Sequence, residues 1–114
     1  MLKLPLEYLK HILDETEFLI SEVNKISEDD FYINPTLKRA FVRSLEIIGE
    51  ATKNIPEDFR EKHDNVDLKA MLRMRDKLIH HYFGIDYTIV WDVVKTEIPI
   101  LDSIILEIAK TEEQ

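Results

Sequence analysis

The stretch Arg75-Asp76-Lys77-Leu78-Ile79-His80-His81-Tyr82-Phe83-Gly84 concentrates the side chains best suited to chemistry. A guanidinium offers a rigid fork of donors that fits a phosphate. An imidazole changes charge near neutral pH and so moves protons. A phenol serves as a hydroxyl nucleophile or a hydrogen-bond partner. Arg75, His80 and Tyr82 supply these three groups, and Asp76 stands four residues before His80, a spacing at which the two side chains can pair along a helix. Such a pair favours the protonated imidazole. An arginine and a histidine without a metal point to phosphodiester chemistry. His80 would transfer protons, and Arg75 would hold the phosphate and stabilise charge as it builds in the transition state. RNA carries its own nucleophile, the 2′-hydroxyl, so this chemistry requires neither metal nor activated water.

The element that must position these groups is a helix over about Asp67 to His80. Leu68, Met71, Leu72, Leu78, Ile79 and Tyr82 recur every three or four residues, as one helical face does. Arg75 falls in the middle of that face. A guanidinium there is costly unless it is paired or faces a wet cleft. The plainer reading lays its stem along the core and its head in water. Five residues of regular helix turn about 140° and rise about 7.5 Å, so Arg75 and His80 do not share a face. They converge if the helix unwinds near His80, or across a two-fold dimer axis. The interrupted stripe favours an interface. Gly84 is placed to end the helix.

Other chemistries lack their motifs. The chain has no Gly-rich phosphate loop, no nucleophile elbow and no His-Glu-x-x-His pattern. His80 and His81 are the only adjacent histidines, and neighbours on a helix point about 100° apart, a poor chelate. No metal and no cofactor is expected. His11 has no partner at ligand spacing and reads as a surface or boundary residue, and His63 likewise lacks a ligand pattern.

Composition bounds the rest. The 114 residues suit one domain, 1–114, with one core; two glycines, 45% hydrophobic and 33% charged residues suit a packed helical protein. No cysteine is present, which fits a reducing, cytoplasmic setting. The opening residues lack the apolar core of a secretory leader, and no run approaches the ~20 apolar residues of a membrane span. The net charge of −8 is wrong for a general nucleic-acid coat. Lys69, Arg73, Arg75 and Lys77 against Asp67 and Asp76 make a local exception, so contact with RNA would be local.

The remaining pattern predicts an all-α fold: an antiparallel bundle of four main helices plus one short one. Helix one runs from about Pro5 to Ile26, with Leu6, Leu9, Leu13, Ile20 and Val23 inward, Thr16 a polar break, and Ile12, Leu19 and Ile26 as a second row. Ser27 to Asn34 is a connector whose Phe31 and Tyr32 either pin it to the body or meet a partner. Asn34-Pro35 opens helix two, which reaches about Asn54. Leu37, Phe41, Ser44, Ile48 and Ala51 form its inner stripe, supported by Ala40 and Ile47. Gly49 inside it suggests close packing. Arg39, Arg43, Glu46 and Glu50 make a charged stripe, read as ion pairs or as a subunit contact. A turn and short helix span Asn54 to Lys62. The last helix runs from Tyr87, capped by Asp86, to about Lys110, and Pro99 should kink it near Lys95.

Arg75-x4-His80-x-Tyr82 resembles the Arg-x4-His-x-Tyr motif of HEPN-domain toxins of the HepT type. The similarity extends through Phe41-Val42-Arg43-Ser44-Leu45-Glu46-Ile47-Ile48-Gly49-Glu50-Ala51 and through Tyr82-Phe83-Gly84-Ile85-Asp86-Tyr87 with Val90-Trp91. The resemblance implies a HEPN-like bundle that forms a homodimer, with a metal-independent endoribonuclease site in the dimer cleft. Arg75 and His80 take the catalytic positions. It also implies a cognate minimal nucleotidyltransferase antitoxin of the MntA type, which transfers AMP from ATP to the motif tyrosine, here Tyr82. Asp76 stands where asparagine is frequent, and His81 where a small residue is. Two other readings fit the same residues. One is a non-catalytic module that binds a nucleotide or a partner, with Arg75 on a phosphate. In the other, Arg75 and His80 make only interface salt bridges.

Overall fold

Pro5 opens the first helix, as the missing proline N–H is no loss in a first turn. In the computed structural model, which describes residues 5–62 and 84–113, this helix is α1, Pro5–Val23. Its buried line is Leu9, Ile12, Thr16, Leu19 and Val23, an alternating three-four spacing. Leu6, Leu13, Ile20 and Ile26 are partly buried beside it. Thr16, expected as a break in the stripe, is at its centre and 0% exposed. Its hydroxyl donates to Asp102 Oδ1 at 2.7 Å and lies 3.2 Å from the Leu13 carbonyl. The helix ends three residues before Ile26, in a turn where Lys25 N–H donates to Glu22 O at 3.1 Å.

The expected connector holds a helix of its own, α2, Glu28–Tyr32. Ser27 Oγ accepts from Asp30 N–H at 3.1 Å, and three acids fill the first turn. Capping hydroxyl and negative charge both suit a helix N-terminus. This turn delivers Phe31 into the core at 0% exposure, so Phe31 belongs to the body of the protein.

Helix α3, Pro35–Lys53, has the predicted start: Asn34 Oδ1 accepts from Leu37 N–H at 3.0 Å. Phe41, Ser44, Ile48 and Ala51 are buried as expected. The row supporting them is Val42, Leu45, Gly49 and Thr52, however, while Ala40 and Ile47 are only half-buried. Short α4, Glu57–Lys62, follows a turn stapled by buried Ile55, whose carbonyl accepts from Arg60 Nε at 3.1 Å. The predicted helix over Asp67 to His80 lies outside the described residues.

Asp86 caps α5, Tyr87–Asp92, by accepting from Thr88 N–H at 3.0 Å. The chain continues through a π-helical turn, Val93–Glu97, into α6, Ile98–Glu113. The π turn is the form that the proline distortion takes. Pro99 has no N–H for the Lys95 carbonyl and its ring crowds that carbonyl. The chain widens just upstream, and Ile98 N–H bonds to Val93 O, five residues back.

Glu15 lies against Ser44 (2.8 Å) and Phe18 against Phe41 (ring centroids 6.5 Å), so α1 and α3 run antiparallel. Helix α1 also packs along α6. Lys62 pairs with Glu112 at 2.8 Å, which sets the end of α6 beside the end of α3 and α4. All described elements are helical, and one apolar cluster runs from Leu9 to Ala109.

The Thr16–Asp102 bond, buried at its donor, makes a direct test. Thr16→Val keeps the shape and removes the donor, leaving Asp102 facing an apolar group. The expected loss is about 1–3 kcal/mol in urea unfolding. Thr16→Val in an Asp102→Ala background should cost clearly less, and equal costs in the two backgrounds would show that the pair is uncoupled.

Candidate functional site

Arg75, Asp76, His80, His81 and Tyr82 lie outside the described residues, as does His63. The structure places the two points between which they are strung. The chain leaves at Lys62, tied to Glu112 at the α6 end. It returns at Gly84, at the end of the bundle where α3 begins. Gly84 is exposed, does not have a positive φ, and has open space where a Cβ would stand. The helix that Gly84 is placed to end lies outside the described residues.

The return point is fixed by aromatic packing. The Phe31 ring centroid is 4.8 Å from Phe41, 5.3 Å from Trp91 and 6.4 Å from Tyr87. Phe31 thereby joins α2, α3 and α5 in one contact. Tilted and edge-on geometries suit the ring quadrupoles and add to burial. Trp91 and Val90 are buried, and Tyr87 is half-buried three residues after Gly84. On its other side Tyr87 carries a cation, since Lys38 Nζ of α3 stands 4.7 Å from the ring centroid. Such a contact attracts the ammonium through the ring's quadrupole.

The electrostatics around this end are mixed. Tyr32 OH donates to Glu28 Oε2 at 2.6 Å. That bond is the main reason its phenol is pushed up from 10.0 to about 12, with desolvation and the charges of Glu28, Asp86 and Asp29 adding to it. The Asp86 carboxylate is occupied by the backbone and hydroxyl of Thr88. Along α3, Arg43 pairs with Glu46 at 3.5 Å, so that stripe forms at least one helical ion pair. His11 is exposed, in line with a surface histidine. Among the described residues, no three histidine or carboxylate groups converge as a metal-ligand set, and no helix is long and apolar enough to cross a membrane.

Two polar residues of the inner stripes form links between helices: Thr16, read as a polar break, and Ser44, read as part of its stripe. Both prove to be buried donors, to Asp102 and to Glu15. The Lys38–Tyr87 contact had no sequence signal, because it joins α3 to α5 across the bundle.

Comparison with known proteins gives a consistent result. The family model described as "Ribonuclease HepT-like" matches residues 7–108. A protein of Caldanaerobacter subterraneus subsp. tengcongensis named "Putative RNase" is 55% identical over 112 residues, covering 98% of this chain and 100% of that protein. One from Methanocaldococcus jannaschii, also named "Putative RNase", is 48% identical over 92 residues, 81% of this chain and 76% of its own. "Probable ribonuclease HepT" of Thermococcus cleftensis is 44% identical over 95 residues, 83% of this chain and 86% of its own. No solved structure matches.

The Tyr32–Glu28 bond predicts a pH signature. The folded phenol binds its proton more tightly than the unfolded one, so the folded state holds more protons between the two values. Stability from this bond is complete below about pH 10 and is lost as pH rises towards about 12. Phenolate absorbance should show a late-titrating tyrosine that disappears in Tyr32→Phe and moves back towards the ordinary value in Glu28→Gln. A late phase that persists in Tyr32→Phe would assign it elsewhere.

Proposed function

The chain belongs to the ribonuclease HepT-like family, and on that premise we propose that it is a metal-independent endoribonuclease, the toxin of a toxin–antitoxin pair. The observation that carries this reading is the family match over residues 7–108, which includes Arg75-x4-His80-x-Tyr82. Family relatives named as ribonucleases support the substrate class.

In the proposed reaction the RNA 2′-hydroxyl attacks the adjacent phosphorus. The P–O5′ bond breaks, leaving a 2′,3′-cyclic phosphate and a 5′-hydroxyl. His80 transfers protons in this exchange, at the attacking or the leaving oxygen. Arg75 clamps the phosphate and stabilises the charge on its oxygens in the transition state. Asp76 pairs with His80 and keeps it protonated. Arg75 and His80 diverge by about 140° on a regular helix; the apolar stripe that Arg75 interrupts favours a site built at a homodimer axis.

Silencing follows from the same chemistry. A minimal nucleotidyltransferase partner would let the Tyr82 phenol attack the α-phosphorus of ATP, with pyrophosphate leaving. The AMP added beside the phosphate site brings bulk and negative charge, which block the cleft and repel RNA. The protein would act in the cytoplasm, where its RNA and its partner are.

The net charge of −8 favours a second reading, a module that binds a nucleotide or a partner without cutting RNA. One experiment separates the two. Protein confirmed unmodified by intact mass is incubated with tRNA, rRNA and mRNA in EDTA, beside His80→Ala. Cleavage that survives EDTA and falls by at least about a hundredfold in the mutant is expected. Equal cleavage by both proteins would remove His80 from the mechanism, and no cleavage of any RNA would favour the binding module.

A further inference from the structure

The outer face of α3 carries its charges in two blocks. Arg39, Arg43, Glu46 and Glu50 are spaced by four, three and four residues, so at about 100° per residue they line up as one stripe along the helix. The stripe faces away from the core. Phe41, Ser44 and Ile48 are buried on the opposite side, where Phe41 and Ser44 meet α1. Arg39 and Arg43 are exposed, and Glu46 and Glu50 are half-buried.

This order suits a lone helix poorly. Opposite charges three or four residues apart stabilise a helix, and like charges four apart destabilise it by a similar amount. Here both four-residue pairs are like-charged, Arg39 with Arg43 and Glu46 with Glu50. The attractive spacing within the stripe is Arg43 to Glu46, a long contact of 3.5 Å with the Arg43 side chain 70% exposed. A guanidinium has five N–H donors, so Arg43 has capacity for a second carboxylate. Arg39 forms no ion pair among the described residues. The acids also lie towards the C-terminal end of α3, the negative end of the helix dipole.

The same order is its own complement when reversed. In an isologous two-fold contact, residue i meets residue j and j meets i. An antiparallel second copy of α3, with the axis midway between Arg43 and Glu46, sets each basic block against an acidic one, whereas a parallel copy sets like against like. The four central charges then alternate in sign as a network, the case in which exposed ion pairs contribute to stability. Half-buried Ala40 and Ile47 flank the stripe on one side and come to the same seam. A foreign partner would require no such palindrome. We propose that this stripe is the seam of a two-fold homodimer, with Arg39 facing the partner's Glu50 and Arg43 facing the partner's Glu46. The proposal rests on the homodimer in the reading above and names its surface.

The test is sedimentation equilibrium of the full-length protein and three variants, each checked for folding by far-UV circular dichroism and thermal melts. One variant is Arg39→Glu with Arg43→Glu, another is Glu46→Arg with Glu50→Arg, and the third carries all four reversals. The parent should be a dimer that weakens as salt is raised. Each two-fold reversal brings like charges together and should raise the dimer dissociation constant at least about a hundredfold. Mixing the two reversed proteins should restore association as a heterodimer, and the variant with all four reversals should again be a homodimer. If a reversed variant does not fold, Arg43→Gln with Glu46→Gln decides, and its dissociation constant should rise at least about tenfold.

A monomeric parent would overturn the seam. A parent dimer that the reversals leave intact would keep the homodimer and overturn this surface. Reversed variants that lose the dimer and do not recover on mixing would overturn the antiparallel register. The readout needs no RNA, so it is independent of the ribonuclease reading: a charge-dependent dimer that cuts no RNA leaves the seam standing while the nuclease falls, and an active monomer does the reverse.

Discussion

Phe31 is the contact on which the other elements close. It is fully buried on a helix of only five residues, and it touches rings from α3 and α5 at once. A helix so short has little stability of its own, because nucleation costs more than one turn returns. It persists because the ring is buried, at a gain on the order of 1.5–3 kcal/mol, and because Ser27 and the acids of its first turn satisfy its N-terminus. That one side chain aligns the start of α3 with the start of α5. The position of Asp86 and Tyr87, and so the end of the motif-bearing stretch, follows from an aromatic residue more than fifty positions earlier in the chain.

The bundle is held in register by polar links as well as by volume. Adjacent residues of α1 reach in different directions, Glu15 to Ser44 on α3 and Thr16 to Asp102 on α6. Apolar side chains tolerate sliding by a turn, since any leucine meets another. A hydroxyl facing a carboxylate does not, because a shift strands both groups at a cost of about 1–3 kcal/mol. Two neighbouring residues therefore index α1 against both of its partners.

The sequence was legible wherever a local rule had no competitor. Asn34-Pro35 and Asp86 each stood before an apolar periodic run, and both helices start there. It was misread where tertiary packing decided. Ser27 with three acids is a helix start as good as Asn34, but Phe31 and Tyr32 gave too short a run to show a period. Thr16 counted as a break because its type is polar, while its spacing from Ile12 and Leu19 already placed it on the buried line. Pro99 announced a distortion; whether it would be a kink or a π turn depended on how Ile98 N–H could find Val93 O. Of the candidate site, the residue types and the family resemblance were readable, and its residues lie outside the described ones. Contacts such as Lys38 on Tyr87 join positions 49 apart and leave no periodic trace.

A protein of net charge −8 that handles a polyanion must solve a steering problem. A uniform field of that sign slows the approach of RNA and weakens its hold. Salt at physiological strength limits the field to about 8 Å, so distant carboxylates matter less than the few charges near the substrate. The distribution then counts for more than the sum. Asp86 and Glu28 accept from Thr88 and Tyr32, and Lys38 stands over the Tyr87 ring. The motif stretch adds Lys69, Arg73, Arg75 and Lys77 close in sequence. On the proposed reading, the acidic remainder discourages indiscriminate binding to nucleic acid.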